Sequence, residues 1–212
     1  MIITFSSLKG GTGKTSLSVH LAHAIKLAHA KVILIDADPQ SSASDWAAAR
    51  DDSPPFPVVG MARDTLHRDL GSLVADYDHA VIDTPPRVSA LARSAILAAD
   101  LVLIPVQPSS YDVWAAAETV KLVEEAQQYK PDIKAAFVIN RRIVKTSIGG
   151  EVSAALADYS PIVFESAIAQ RVAIAEASAG YTVLEDSPKS AAADEVRSLA
   201  NEVLKFMEVE KW

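Results

Sequence analysis

The stretch SLKGGTGKTS (7–16) carries the densest potential for chemistry in the chain. Gly10, Gly11 and Gly13 can take backbone angles denied to other residues, so successive N–H groups can converge on one anion. Lys14 can set its ammonium against the β- and γ-phosphates of a nucleotide, and the Thr15 hydroxyl can ligate Mg²⁺. Thr12 lies inside the loop, and Ser16 follows where a helix would begin, at the positive end of its dipole. One lysine suffices for such a loop, yet Lys9 stands on its other flank. Phosphoryl transfer to water also needs a metal holder and a group that orients the attacking water. LIDADPQ supplies Asp36 and Asp38, and AVIDTPP supplies Asp83. An aspartate that ends a strand often does no more than cap the next turn, so each of these alone says little.

Something must hold these residues together. Short β-rich apolar runs at 2–5, 31–36, 79–83, 101–106 and 135–140 read as buried parallel strands, with weaker candidates at 57–61 and 161–165. Helical patterns fall between them at 14–28, 63–75, 90–98 and 111–129, and one closes the chain at 189–208. Val113, Ala116, Ala117, Val120 and Val123 form one apolar stripe, and Val196, Leu199, Ala200, Val203, Leu204 and Met207 form another. Alternating strands and helices imply an α/β fold: a doubly wound, mostly parallel sheet with helices on both faces. Ligands of such sheets collect at the carboxyl ends of the strands, where the glycine loop and the three aspartates fall. DDSPPFP (51–57) is irregular but too short for an interdomain linker, so residues 1–212 are expected to form one domain.

Composition removes several alternatives. The chain has 212 residues, half of them apolar, and a net charge of −7 from 20 basic and 27 acidic residues. That balance argues against a surface coated for tight nucleic-acid binding and leaves room only for a local basic patch. With no cysteine, disulfides, iron–sulfur clusters and thiolate zinc sites are excluded. The five histidines lack metal-ligand spacing; His20 and His23 share a helix face and read as packing or solvent-facing residues. MIITFSSLKGG reads as a strand entering a loop rather than a signal peptide, and AILAADLVLIPV is interrupted by Asp100. A cytoplasmic location is expected.

KGGTGKT departs from the general phosphate-loop pattern, because the position of the earlier glycine is held by Leu8, with Lys9 beside it. In this it resembles the deviant Walker A motif of the ParA/MinD family of P-loop ATPases. The resemblance implies that Lys14 serves the protomer's own ATP while Lys9 reaches the phosphates held by a partner subunit, with two ATP molecules sandwiched in a homodimer. It assigns Asp38 to orienting the hydrolytic water, and Asp36 and Asp83 to Mg²⁺, mainly through the ion's waters. IPVQPSSYD (104–112) resembles the proline-bearing segment of the family's dimer face; VINR (138–141) and Pro188 resemble its adenine side, which makes Asn140 and Pro188 candidate adenine contacts.

Within the family, the cysteine-dependent members are excluded. The ending NEVLKFMEVEKW reads as too acidic for a membrane-binding helix, and with the first strand at residues 2–5 no N-terminal helix-turn-helix is expected. What remains resembles a small ParA-type partition ATPase. The resemblance implies non-specific DNA binding by the ATP dimer, association with the nucleoid, and a centromere-binding or adaptor protein that triggers hydrolysis. Arg171, Lys189, Arg197 and Lys205 are candidate phosphate contacts, with Arg141, Arg142 and Lys145 as a further ambiguous cluster. For any one of them a solvated helix face explains the charge equally well. Two alternatives stand beside partition: a cargo-positioning ATPase of the same family, and a ligase of dethiobiotin-synthetase type.

Overall fold

The computed structural model describes residues 1–144, 146 and 148–212. Lys145, grouped above with Arg141 and Arg142, lies outside the described residues. Seven strands form one sheet: β1 (Ile2–Phe5), β2 (Val32–Asp36), β3 (Val58–Gly60), β4 (His79–Asp83), β5 (Leu101–Val106), β6 (Lys134–Arg142) and β7 (Ile162–Ala169). Their order is β3-β2-β4-β1-β5-β6-β7, and every pairing is parallel. The expected α/β architecture is therefore present, with a sheet that is parallel throughout.

Alternation along the strands explains why helices cover both faces. Ile3 and Phe5 of β1, Leu34 of β2, Val81 of β4 and Val138 of β6 join one cluster, with residues of α1 (Lys14–Leu27), α2 (Ser42–Ala48), α8 (Val183–Asp186) and α9 (Ala191–Met207). Neighbouring strand residues turn to the opposite face. There Val102, Ile104 and Phe137 pack with α5 (Ser110–Gln127) and α6 (Ile148–Leu156). On that same face Ile33, Ile35 and Ile82 pack with α3 (Leu66–Leu73) and α4 (Ala90–Ala98). Each such aliphatic side chain, fully buried, contributes on the order of 2 kcal/mol. Two-sided burial is what makes these strands read as unbroken apolar runs.

Local signals set several helix ends. Ser89 caps α4 by accepting the Ala92 N–H at 3.0 Å, and Ser190 caps α9 through Ala193 at 3.2 Å. Glu208, with φ 58°, ends α9 in a left-handed residue. Four helices of four to nine residues have no counterpart in the sequence reading: α2, α6, α7 (Val172–Glu176) and α8. Tertiary contacts hold the first of them. The Trp46 indole N–H donates to the Tyr181 carbonyl at 2.9 Å, and the Ser44 N–H donates to Asp36 at 2.8 Å.

Candidate functional site

Register brings the two aspartate-bearing strand ends, of β2 and β4, to the glycine loop that follows β1. Phe5 at the end of β1 pairs with Asp83, and Asp83 in turn pairs with Asp36. Chain connectivity leads from Phe5 straight into the glycine loop, so both carboxylates stand beside it at the carboxyl edge of the sheet.

The loop itself is tightly held. Gly11 and Gly13 have φ of 77° and 95°, the left-handed region that favours glycine. A Cβ on Gly13 would stand 2.1 Å from the Asn140 Nδ2. Gly13 is also the N-cap of α1, and no side chain caps it, so the first N–H groups of this 14-residue helix are left to an anion. Asn140 Nδ2 donates to the Thr12 carbonyl at 2.7 Å, while its Oδ1 accepts the Arg141 N–H at 2.9 Å. Asn140 thus braces the loop through its Nδ2, and with its Oδ1 held by Arg141 both ends of the amide that the resemblance offers to adenine are engaged. A cavity of about 810 Å³ opens beside it, lined among others by Gly13, Ser16, Asn140, Arg141 and Arg171. Pro188 is not part of that lining; its carbonyl accepts from Arg197 at 2.6 Å instead.

Charge is concentrated and buried. The Thr15 hydroxyl donates to Asp83 Oδ2 at 2.6 Å, and Asp83 Oδ1 is buried without a partner. Burial pushes the Asp83 carboxyl up to about 7, against the opposing pull of Thr15 and Lys14. The same desolvation holds Lys14 below the ordinary lysine range, with Asp83 and Asp38 drawing it back up. Asp36 Oδ2 accepts from both the N–H and the hydroxyl of Ser44 at 2.8 Å, and its Oδ1 accepts the Asp38 N–H at 3.2 Å. Asp38 accepts the Gln40 N–H at 2.9 Å, just before Ser41 in the left-handed region at φ 59°.

These donors fit a magnesium ion. Asp83 offers an orphaned oxygen next to the Thr15 hydroxyl, and Mg²⁺ commonly takes one or two protein groups plus phosphate and water. An all-protein cage is a different case: among the described residues no cluster of three or more His, Cys, Asp or Glu could hold a metal.

Lys9 is separated from this buried set. Its ammonium lies 2.6 Å from Asp112 Oδ2 in the first turn of α5, and its side chain is 39% exposed. Asp112 has no individual role in the sequence reading, although it closes the proline-bearing segment IPVQPSSYD as an acid at the start of a helix.

The candidate DNA contacts do not form one group. Arg171 grips Glu195 with two nitrogens, at 2.7 and 3.2 Å, and lines the cavity beside Ser16. Arg197 pairs with Asp194 at 2.9 Å, whereas Lys189 and Lys205 are exposed.

Residues 3–182 match the CobQ/CobB/MinD/ParA nucleotide binding domain, and the chain belongs to that family, which includes the ParA and MinD proteins. A curated relative, maintenance of carboxysome distribution protein A (McdA) of Halothiobacillus neapolitanus, is 27% identical over 207 residues, covering 95% of each chain. The chromosome-partitioning ATPase Soj of Thermus thermophilus is 28% identical, covering 95% of this chain and 94% of its own. Among solved structures, an ATP complex of a Cyanothece McdA variant superposes with a TM-score of 0.80 at 18% identity, covering 100% of this chain and 97% of its own.

Proposed function

We propose that this protein is a Mg²⁺-dependent ATPase that pairs around two ATP molecules and uses the ATP-bound homodimer to position a cargo along DNA. The observation that carries this reading is the division between the two lysines. Lys14 is buried against Asp83 and Asp38, while the partly exposed Lys9 side chain points away onto the buried carboxylate of Asp112. Beside Asp112, Tyr111 and Trp114 are 72% and 65% exposed and meet edge to face at 5.4 Å. Exposed aromatic pairs of this kind are typical of surfaces buried in assemblies.

In hydrolysis, the oxygen of a water held by Asp38 bonds to the γ-phosphorus as the bond to the β–γ bridging oxygen breaks, giving ADP and phosphate. The loop N–H groups, Lys14 and the partner's Lys9 offset the charge on the phosphate oxygens. Thr15 and Asp83, with Asp36 behind them, would hold the Mg²⁺ ion, which supplies further charge neutralisation.

Sedimentation of wild type, Lys9→Ala and Asp38→Ala with ADP and with ATP tests the scheme. Wild type is expected to dimerise only with ATP, Asp38→Ala to form a persistent dimer, and Lys9→Ala to remain monomeric. Normal pairing of Lys9→Ala would end the assignment of Lys9 to the opposite protomer.

The likeness to the carboxysome distribution protein, which spans nearly both chains, favours a protein cargo with its own adaptor as a second reading beside DNA partition. Stimulation by a centromere-bound protein would indicate a DNA cargo; stimulation by an adaptor of a protein assembly would indicate the other. Turnover that needs a small carboxylic acid, and neither protein nor DNA, would revive the ligase alternative.

A further inference from the structure

We infer that Asp112 is the positioning residue for Lys9, holding its ammonium at the protein surface so that the remaining N–H groups face a partner's phosphates; this rests on the reading of Lys9 given above. Asp112 and Thr119 are seven residues apart and so share one face of α5. Both grip the edge of the phosphate loop. The Leu8 N–H donates to Thr119 Oγ1 at 3.3 Å, and the Lys9 ammonium meets Asp112 at 2.6 Å.

The Asp112 side chain is only 3% exposed, and its Oδ1 has no hydrogen-bond partner. Among the described residues Lys9 is the one cation within ion-pair distance of it. Moving Lys9 away would strand a buried carboxylate, which costs more than a surface pair returns. Staying costs little, because an ammonium has three donors and Asp112 occupies one. The remaining donors belong to a group still open to solvent. Asp112 therefore fixes the direction of an otherwise flexible four-carbon chain, lowering the entropy lost when Lys9 engages phosphate. A releasable latch on the same pair predicts the opposite: Lys9 would pair better with Asp112 gone.

Two readouts on Asp112→Ala and Asp112→Asn decide between them. The first uses the ADP-bound protein and needs no dimer: the rate at which an N-hydroxysuccinimide ester acylates Lys9, followed by mass spectrometry. It is expected to rise several-fold in Asp112→Ala and less in Asp112→Asn, and an unchanged rate would overturn the pairing itself. The second is the dissociation constant of the ATP-dependent dimer, expected to weaken about tenfold or more in Asp112→Ala, as for loss of a charge-assisted hydrogen bond. Asp112→Asn, with the same shape and a neutral acceptor, should fall between the two. Tighter pairing of Asp112→Ala would establish a latch, and an Asn variant equal to wild type would reduce Asp112 to a packing role; either overturns the inference. If Lys9→Ala dimerises like wild type, the fault lies with the trans assignment of Lys9, and the acylation result still reports whether Asp112 holds it.

Discussion

Gly13 is the loop residue least open to replacement. Its φ of 95° strains any side chain, and the Asn140 amide occupies the space a Cβ would take. Gly13→Ala is expected to push Asn140 off Thr12 and weaken binding of a fluorescent ADP analogue by tenfold or more; unchanged affinity would mean that the loop relaxes at no cost. His20 makes a different prediction. Its Nδ1 bonds the Ser16 carbonyl at 2.7 Å while its Nε2 accepts the Val183 N–H at 3.1 Å, an arrangement only the neutral ring can satisfy. Burial lowers it to about 4 from 6.5. The unfolded chain thus binds the proton first, and this residue's contribution, complete above pH 6.5, declines as pH falls toward 4. At 1.36 kcal/mol per unit the loss approaches about 3 kcal/mol. Asp83, raised to about 7, acts in the opposite sense, so the comparison must be with His20→Gln. The stability difference between wild type and variant, from urea titrations, should narrow between pH 7 and pH 4.5; a constant difference would count against the neutral ring. The sequence showed His20 only as a helix-face residue, because the donor to its Nε2, the Val183 N–H, is 163 positions away.

Among the elements, β7 poses the problem of every edge strand: unpaired backbone groups that invite another chain. Here α9 supplies the missing acceptors. Glu202 accepts the Glu165 and Ser166 N–H groups at 2.8 Å each, and Glu195 accepts that of Ala169 at 3.0 Å. Glu202→Ala should therefore lower stability by about 1–3 kcal/mol, read from the urea midpoint, and raise self-association, read from light scattering. A variant as stable and as monodisperse as wild type would show that water replaces the carboxylate without loss. The sequence counted Glu202 as part of an acidic tail. Its role depends on α9 packing beside the edge strand, a contact between elements that periodicity does not specify.

At the level of the whole molecule, a net charge of −7 and the pairing of Arg171 and Arg197 with acids leave each protomer a weak surface for DNA. Doubling that surface through ATP-dependent pairing would make retention conditional on nucleotide. DNA retention is expected with ATP only and to collapse as salt rises, with a slope of log K against log salt that becomes shallower in Lys189→Ala and Lys205→Ala. Retention without ATP, or unaffected by salt, would remove DNA from the proposed function. Among the described residues no helix is long and apolar enough to cross a membrane.

Sequence alone determined the strands β1, β4 and β5 to the residue, the parallel α/β class, and the place of the glycine loop between β1 and α1. These follow from contiguous patterns: two-sided burial yields apolar runs, and an anion-binding loop needs glycines next to a helix start. Tertiary structure decided the strand order that sets Asp36 and Asp83 side by side, the bracing of the loop by Asn140, and the capture of Lys9 by Asp112. Each of those joins residues between 47 and 128 positions apart in the chain. Their meeting depends on how helices settle on a finished sheet, and no local pattern encodes that.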